Sequence, residues 1–187
     1  LGSVYLRLGS KVTILEYADR ICPTMDHQTI QTLRRSLEKA GMTFVTQAKV
    51  TGSKILGTKA TDLVELTYED MKAGDKKTVQ GNVVLVSSGR RPFSKGLGLE
   101  ALGITMDKIG RVQTDAHFQT NIPGIYAIGD LIHGPMLAHK AEEEGVALAE
   151  MLAGQAGHVN YQTVPSVIYT FPEVASVGAT EEELKAK

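Results

Sequence analysis

The residues best suited to do chemistry lie in Ile125-Tyr-Ala-Ile-Gly-Asp130 and the stretch after it, Gly134-Pro-Met-Leu-Ala-His139-Lys-Ala-Glu. The apolar run predicts a short buried strand over 125–128, with Gly129-Asp130 marking the exit from a sheet. A helix is predicted to open at Pro135. A carboxylate at a strand mouth, next to a helix N-terminus, suits a sugar-phosphate ligand. The carboxylate accepts hydrogen bonds from ribose or ribitol hydroxyls, and the exposed N–H groups and helix dipole favour phosphate or another electron-rich group. Asp130 is the candidate carboxylate. His139 lies in the first turn beside that ligand, although a lone helical histidine is more often structural.

Two further positions carry weaker signals. Lys11-Val-Thr-Ile-Leu-Glu16 is a β-rich run ending in an acid and follows a helical pattern. That order matches the second half of a dinucleotide-binding unit, where the acid accepts adenosine ribose hydroxyls and repels a 2'-phosphate. On its residues alone, Glu16 is equally well a solvated acid at a strand end. Gly89, in Ser87-Ser-Gly-Arg-Arg-Pro92, permits a close backbone approach to a ligand, with a plain turn as the bland alternative.

Composition bounds the options. The chain has 187 residues, 42% of them hydrophobic, and a formal net charge of -1. A packed core follows, without an electrostatic case for nucleic acid or an anionic membrane. No apolar run reaches the roughly 20 residues of a membrane helix. Cys22 is the only cysteine, which excludes an internal disulfide, a thiolate metal cluster and a redox dithiol within this chain. The five histidines do not fall at metal-ligand spacings.

The elements that must position these residues alternate between helix and strand. Leu1, Val4, Tyr5 and Leu8 follow the spacing of an apolar helical face, which Gly9 ends. Residues 26–40 predict a helix with Asp26 near its start, Ile30, Leu33, Leu37 and Ala40 on one face, and Gly41 as its stop. Residues 43–46 predict a short strand, and 63–68 alternate as a half-exposed antiparallel strand should. Residues 73–77 form a polar turn, and 82–86 a parallel strand covered on both faces. The helix over 135–153 places Leu137, Ala141, Leu148 and Leu152 inward and lets Gly145 pack closely. Glu142, Glu143, Glu144 and Glu150 mostly form its wet face. Two strands follow within 164–178, and Thr180 with Glu183 forms a capping box. This pattern is α/β, with a domain boundary near Tyr161. A chain that opens and closes inside helices is expected to be a piece of something longer.

Taken together, Val12-Thr-Ile-Leu-Glu16, Ser88-Gly-Arg-Arg-Pro92, the 125–130 and 134–145 stretches, and Pro165-Ser-Val-Ile-Tyr-Thr-Phe-Pro-Glu-Val174 strongly resemble the dihydrolipoamide dehydrogenases. These are flavoprotein disulfide reductases. The resemblance runs over essentially the whole chain, and Met136-Leu-Ala-His139 is its most discriminating piece. It implies incomplete FAD/NAD-binding Rossmann-like domains with the first elements of an α+β dimerisation domain. Residues 1–87 would be the NAD-binding domain, lacking its first strand and glycine loop. Residues 88–160 would be the central FAD-binding segment, and 161–187 the start of the dimerisation domain.

Position by position, the resemblance implies that Glu16 holds the NAD ribose, Val50 contacts the adenine side, and Gly89 approaches the nicotinamide half. Asp130 would bind FAD through ribitol or nearby hydroxyls, while Met136, Leu137, Ala138 and His139 line the flavin. The implied parent activity reoxidises dihydrolipoamide, passing electrons through a disulfide and FAD to NAD. The family's redox cysteines and catalytic His-Glu pair have no counterpart here, so no catalytic residue and no metal site are assigned. Implied partners are lipoyl-bearing components of 2-oxo acid dehydrogenase complexes and a second copy in a homodimer, with neither nucleic acid nor membrane. The implied compartment is the mitochondrial matrix or the bacterial cytoplasm. Two alternatives stay open: a sister reductase using NADPH, against which Glu16 argues, and a catalytically inert nucleotide-binding module.

Overall fold

Two short parallel strands joined by a helix organise the beginning of the chain. The computed structural model describes residues 1–59 and 61–187. It divides into two units, one of Leu1–Val86 with Pro165–Lys187 and one of Ser87–Val164.

In the first unit, β1 (Thr13–Leu15) pairs in parallel with β2 (Thr43–Val45), Ile14 opposite Phe44. The connecting helix α2 (His27–Lys39) is capped by Asp26, whose carboxylate accepts from the N–H groups of Gln28 and Thr29. Ile30, Leu33 and Leu37, spaced three and four apart, are its buried face. They meet Ile21, Met25, Met42 and, from the far end of the chain, Val174. Ala40 is not on that face. It is the exposed C-cap, one residue before Gly41, whose φ of +103° turns the chain out of the helix.

Helix α1 (Gly2–Arg7) shows a different face from the predicted one. Leu1, Val4, Tyr5 and Leu8 are exposed, and Leu6 packs on the core instead. Gly2 is on the packed side, where a Cβ would lie 3.5 Å from Val12 and 3.7 Å from Met42, ordinary contact distances. Residues 2 and 6 are four apart and share the inward face, so the 1-4-5-8 stripe lies outside it.

Strands β3 (Ala48–Ile55), β4 (Val64–Asp70) and β5 (Asp75–Gly81) form an antiparallel meander, with a register shift between Val50 and Gly52. The turn between β4 and β5 is built by Asp70, which accepts from the N–H groups of Lys72 and Ala73. Asp75, Lys76 and Lys77 therefore belong to the strand rather than to the expected polar turn, and Lys77 reaches back to Asp70 at 2.6 Å. The doubly covered strand expected over 82–86 does not form. Val83 is 84% and Val86 80% exposed, and no described strand pairs with them. An apolar run becomes a buried strand only where neighbours supply hydrogen bonds and cover both faces.

Strands β6 (Ser166–Ile168) and β7 (Val174–Ser176) pair in antiparallel fashion, and Ile168 and Val174 join the first core. Thr180 and Glu183 make the expected capping box at α4 (Glu181–Lys185). The N-termini of α2 and α4 also cap each other. Asp26 Oδ2 accepts from the Glu181 N–H at 3.2 Å, and Glu182 Oε1 accepts from the His27 N–H at 3.0 Å.

The second unit is mostly turns held by side chains. Asp107 accepts from the N–H groups of Ile109 and Arg111, Asp115 from those of His117 and Gln119, and Asn121 bridges Thr105 and Gly103. Its core joins Ile104, Val112, Phe118, Ala127 and Ile132 to Ala147 of α3 (Ala138–Leu152).

Two outcomes test this packing. Leu33→Ala should lower unfolding free energy by about 2–5 kcal/mol in urea titration, because no neighbour can refill the site fully. Backbone N–H groups, that of Glu181 first, hold the Asp26 carboxyl below its ordinary 3.8, and Glu182 is likewise held below 4.5. Since both folded values are depressed, the mutual cap is complete above the ordinary values. It is lost as pH falls through the folded ones. Acid unfolding should therefore steepen below that range, and Asp26→Asn should flatten it.

Candidate functional site

A tightly constrained residue of the second unit is Gly129. It opens a single 3-10 turn, Gly129–Leu131, with a φ of +70°. A Cβ at this position would lie 3.2 Å from Ala141 Cβ, so the conformation favours glycine and the contact crowds any larger residue. Its N–H donates to Glu144 Oε2 at 2.6 Å, and its carbonyl accepts from Lys140 Nζ at 2.9 Å. Lys140 and Glu144 are one helical turn apart on α3 and bridge each other at 3.0 Å, both fully buried. The Tyr161 hydroxyl donates to Glu144 Oε1 at 2.8 Å. Burial first, then the hydrogen bond to Glu144 and its charge, push the Tyr161 hydroxyl well above its ordinary pKa, so it remains a donor.

Asp130 follows directly, with 44% of its side chain exposed, and Arg90 lies 3.6 Å away, itself 74% exposed. The pair is open to solvent and contributes little to stability. Its consequence is spatial: Gly89, the residue before Arg90, belongs to the segment beside the carboxylate. Gly89 has a φ of +95°, and nothing would meet a Cβ there within 4 Å. Open space at a left-handed glycine leaves the backbone accessible to a ligand.

The helix begins later than its pattern predicts. Pro135 is outside it, its carbonyl accepting from the Leu137 N–H, and Leu137 is the N-cap of α3. A leucine offers no side-chain oxygen to the first N–H groups, so the N-terminus carries no side-chain cap. Met136 and Leu137 are half-buried, Ala138 is exposed, and His139 is half-buried in the first turn. The strand expected over 125–128 is also absent. Tyr126 bridges Gln119 and Ala127 bonds Phe118, but the left-handed Phe118, φ +63°, breaks the extended run needed for a ladder.

Glu144 is the clearest departure from the expected wet face, and Lys140 was not assigned a role at all. Lys140, Glu144 and Ala147 are the buried positions of α3, whereas Leu152 is exposed. An i, i+4 lysine and glutamate on the same stripe as Ala147, Leu148 and Met151 is the signal that could have found the pair. Gly145 does sit close to its neighbour, at 3.6 Å from Ile128 for an added Cβ, an ordinary contact.

In the first unit, Glu16 directly follows β1. Its N–H donates to the Val45 carbonyl, its carbonyl accepts from Ala48, and its carboxylate accepts from the Ala18 N–H at 2.8 Å. Ala48 starts β3, so Val50, 49% exposed, is two residues from that junction. The two positions expected on the nucleotide side thus share one strand end. Cys22 is nearby in sequence and half-buried. Burial, then the charge of Glu16, push its thiol above the ordinary 9.0, which opposes a reactive thiolate.

Residues 1–145 match the family profile described as pyridine nucleotide-disulphide oxidoreductase. A mitochondrial dihydrolipoyl dehydrogenase of Pisum sativum is 52% identical over 185 residues, covering 99% of this chain and 36% of the relative. A leghemoglobin reductase of Vigna unguiculata is 53% identical over 186 residues, covering all of this chain and 35% of that protein. The chain therefore spans little more than a third of these relatives. The crystal structure of LpdA from Mycobacterium tuberculosis superposes with a TM-score of 0.84 at 28% identity, covering 98% of this chain and 38% of that one.

Gly129→Ala should destabilise the second unit by about 1–3 kcal/mol, the cost of forcing a side chain into a left-handed site against Ala141. Urea unfolding followed by hydrogen exchange of α3 amides measures it. Gly89→Ala, strained but unopposed, should cost less.

Proposed function

The chain belongs to the pyridine nucleotide-disulphide oxidoreductase family, and from that premise we propose that it supplies the nucleotide-side and second flavin-side surfaces of an NAD-dependent dihydrolipoyl dehydrogenase. One observation carries the reading. The Gly129-Asp130 turn, clamped from beneath, offers an exposed carboxylate close in sequence to an uncapped helix N-terminus. Half-identity to the pea enzyme across the whole chain supports the same assignment.

The residues fit FAD in chemical kind. Asp130 would accept hydrogen bonds from ribitol or neighbouring hydroxyls, replacing Arg90 as its partner. Met136, Leu137, Ala138 and His139 would line the ring, with the dipole of α3 directed at its electron-rich end. When bound, FAD supplies the two-electron relay between a dithiol and a nicotinamide. In the first unit Glu16 would hold the adenosine ribose and Val50 the adenine side of NAD; for Gly89, a backbone approach to a nicotinamide is proposed on its own open geometry. The carboxylate of Glu16 repels a 2'-phosphate, which favours NAD over NADP.

Residues 1–87 are thereby proposed as the NAD-binding segment, 88–160 as the central FAD-binding segment and 161–187 as the opening of the dimerisation domain. Partners would be the lipoyl-bearing components of 2-oxo acid dehydrogenase complexes and a second copy of the enzyme. The mitochondrial pea relative and the bacterial LpdA fit a matrix or a bacterial cytoplasmic location respectively. No described helix is long and apolar enough to cross a membrane.

In the full-length enzyme carrying this segment, Glu16→Ala should weaken NAD binding about tenfold and narrow the preference over NADP, since a charged hydrogen-bond acceptor is lost. Asp130→Ala should release FAD on gel filtration, read by the flavin absorbance of the protein peak. Unchanged NAD affinity and retained flavin would sink both assignments.

A further inference from the structure

Lys140 and Glu144 are fully buried and ion-paired, yet stability alone does not account for them. Desolvating two charges offsets most of their attraction, and apolar residues of similar volume are commonly as stable in such a place. What an apolar pair cannot do is bind backbone groups of opposite polarity. Here Glu144 accepts the N–H of Gly129 and Lys140 donates to its carbonyl. These two groups belong to successive peptide planes, so the pair sets both dihedrals of a glycine already in the left-handed region.

We propose that Lys140, Glu144 and Tyr161 are positioning residues: together they hold the Gly129-Asp130 turn in register with the first turn of α3. The second carbonyl-bearing plane leads directly to Asp130. Lys140 and Glu144 stand on the helix whose N-terminus is the other half of the proposed site. One ion pair therefore ties the carboxylate to the helix end.

The loop between them follows the same constraint. A Cβ on Gly134, φ +118°, would lie 3.0 Å from Lys140 Cε and 3.4 Å from its Nζ, so residues 129–134 wrap closely over the lysine stem. Tyr161 completes the coordination of Glu144 from beyond the helix, donating to the oxygen shared with Lys140. Each carboxylate oxygen thus has a named donor. Reversing or removing either charge leaves a buried peptide group or a buried ion unsatisfied.

The proposal rests on the reading that Asp130 and the α3 N-terminus hold FAD. It is tested in the full-length flavoenzyme with the paired replacement Lys140→Met and Glu144→Leu, with Tyr161→Phe, and with Asp130→Ala as reference. Apoenzyme reconstitution gives the FAD Kd, the bound flavin gives its visible band, and thermal unfolding of the apoenzyme gives Tm. The paired variant should bind FAD about tenfold more weakly, with a shifted flavin band, and its apoenzyme Tm should fall because the Gly129 N–H and carbonyl lose their partners. Tyr161→Phe should move the same two readouts in the same direction and by less. If the paired variant does not fold, Tyr161→Phe decides alone. Wild-type affinity and spectrum in the folded variants, with Asp130→Ala weakened, would overturn the positioning role and leave the flavin reading standing. Unchanged affinity in Asp130→Ala would overturn both.

Discussion

An ion pair with no contact to water holds the peptide planes on both sides of one glycine, and the second unit is arranged around that constraint. Glu144 and Lys140 can reach Gly129 only if α3 lies directly beneath the 3-10 turn, and Ala141 then crowds a side chain at position 129. Gly134 is bound by the same geometry, because the loop returning to the helix passes over the lysine. Exposed Asp130, half-buried Met136 and the uncapped N-terminus at Leu137 are therefore spaced by buried polar bonds rather than by a strand. That explains how the turn keeps its place although the preceding residues form only an isolated bridge.

The first unit solves a related problem with apolar packing. Ile30, Leu33 and Leu37 anchor α2 on the core, and α2 in turn brings β2 alongside β1. Glu16 is placed by that pairing, since its N–H and carbonyl bond Val45 and Ala48 on two different strands. The exchange of caps between Asp26 and Glu182 adds a polar tie from residues 26–27 to residues 181–182. It satisfies N–H groups that each helix would otherwise leave to solvent.

Features that depend on a few neighbouring residues were legible in the sequence. Asp26 as a cap, Gly41 after a helix end, and the box of Thr180 and Glu183 are all settled within about four positions. The α/β class and the antiparallel strand at 64–70 were legible for the same reason. Features that depend on partners far along the chain were not. The apolar runs at 82–86 and 125–128 carry strand composition, but composition supplies no ladder, and Phe118 breaks the one available to the second run. Glu144 was hidden among three consecutive glutamates, where only the helical angle separates the inward one from its neighbours. Leu1, Val4, Tyr5 and Leu8 make a valid stripe, but Leu6 is the residue of this helix that packs on the core.

The acids in the two units perform different work, and the difference follows from surroundings rather than residue type. Glu144 is desolvated and fully bonded, so its charge is spent on structure. Asp130 keeps solvent access and a loose partner at 3.6 Å, which a ligand hydroxyl can displace at little cost. Glu16 lies between these extremes, half-buried, with one carboxylate oxygen engaged by Ala18. Its charge also raises the pKa of Cys22 and so disfavours a thiolate beside it. The first unit thus presents a partly engaged carboxylate beside a thiol whose pKa is raised, and the second an open carboxylate near helix N–H groups without a side-chain cap. Nucleophilic chemistry would require the opposite electrostatic bias at that sulfur.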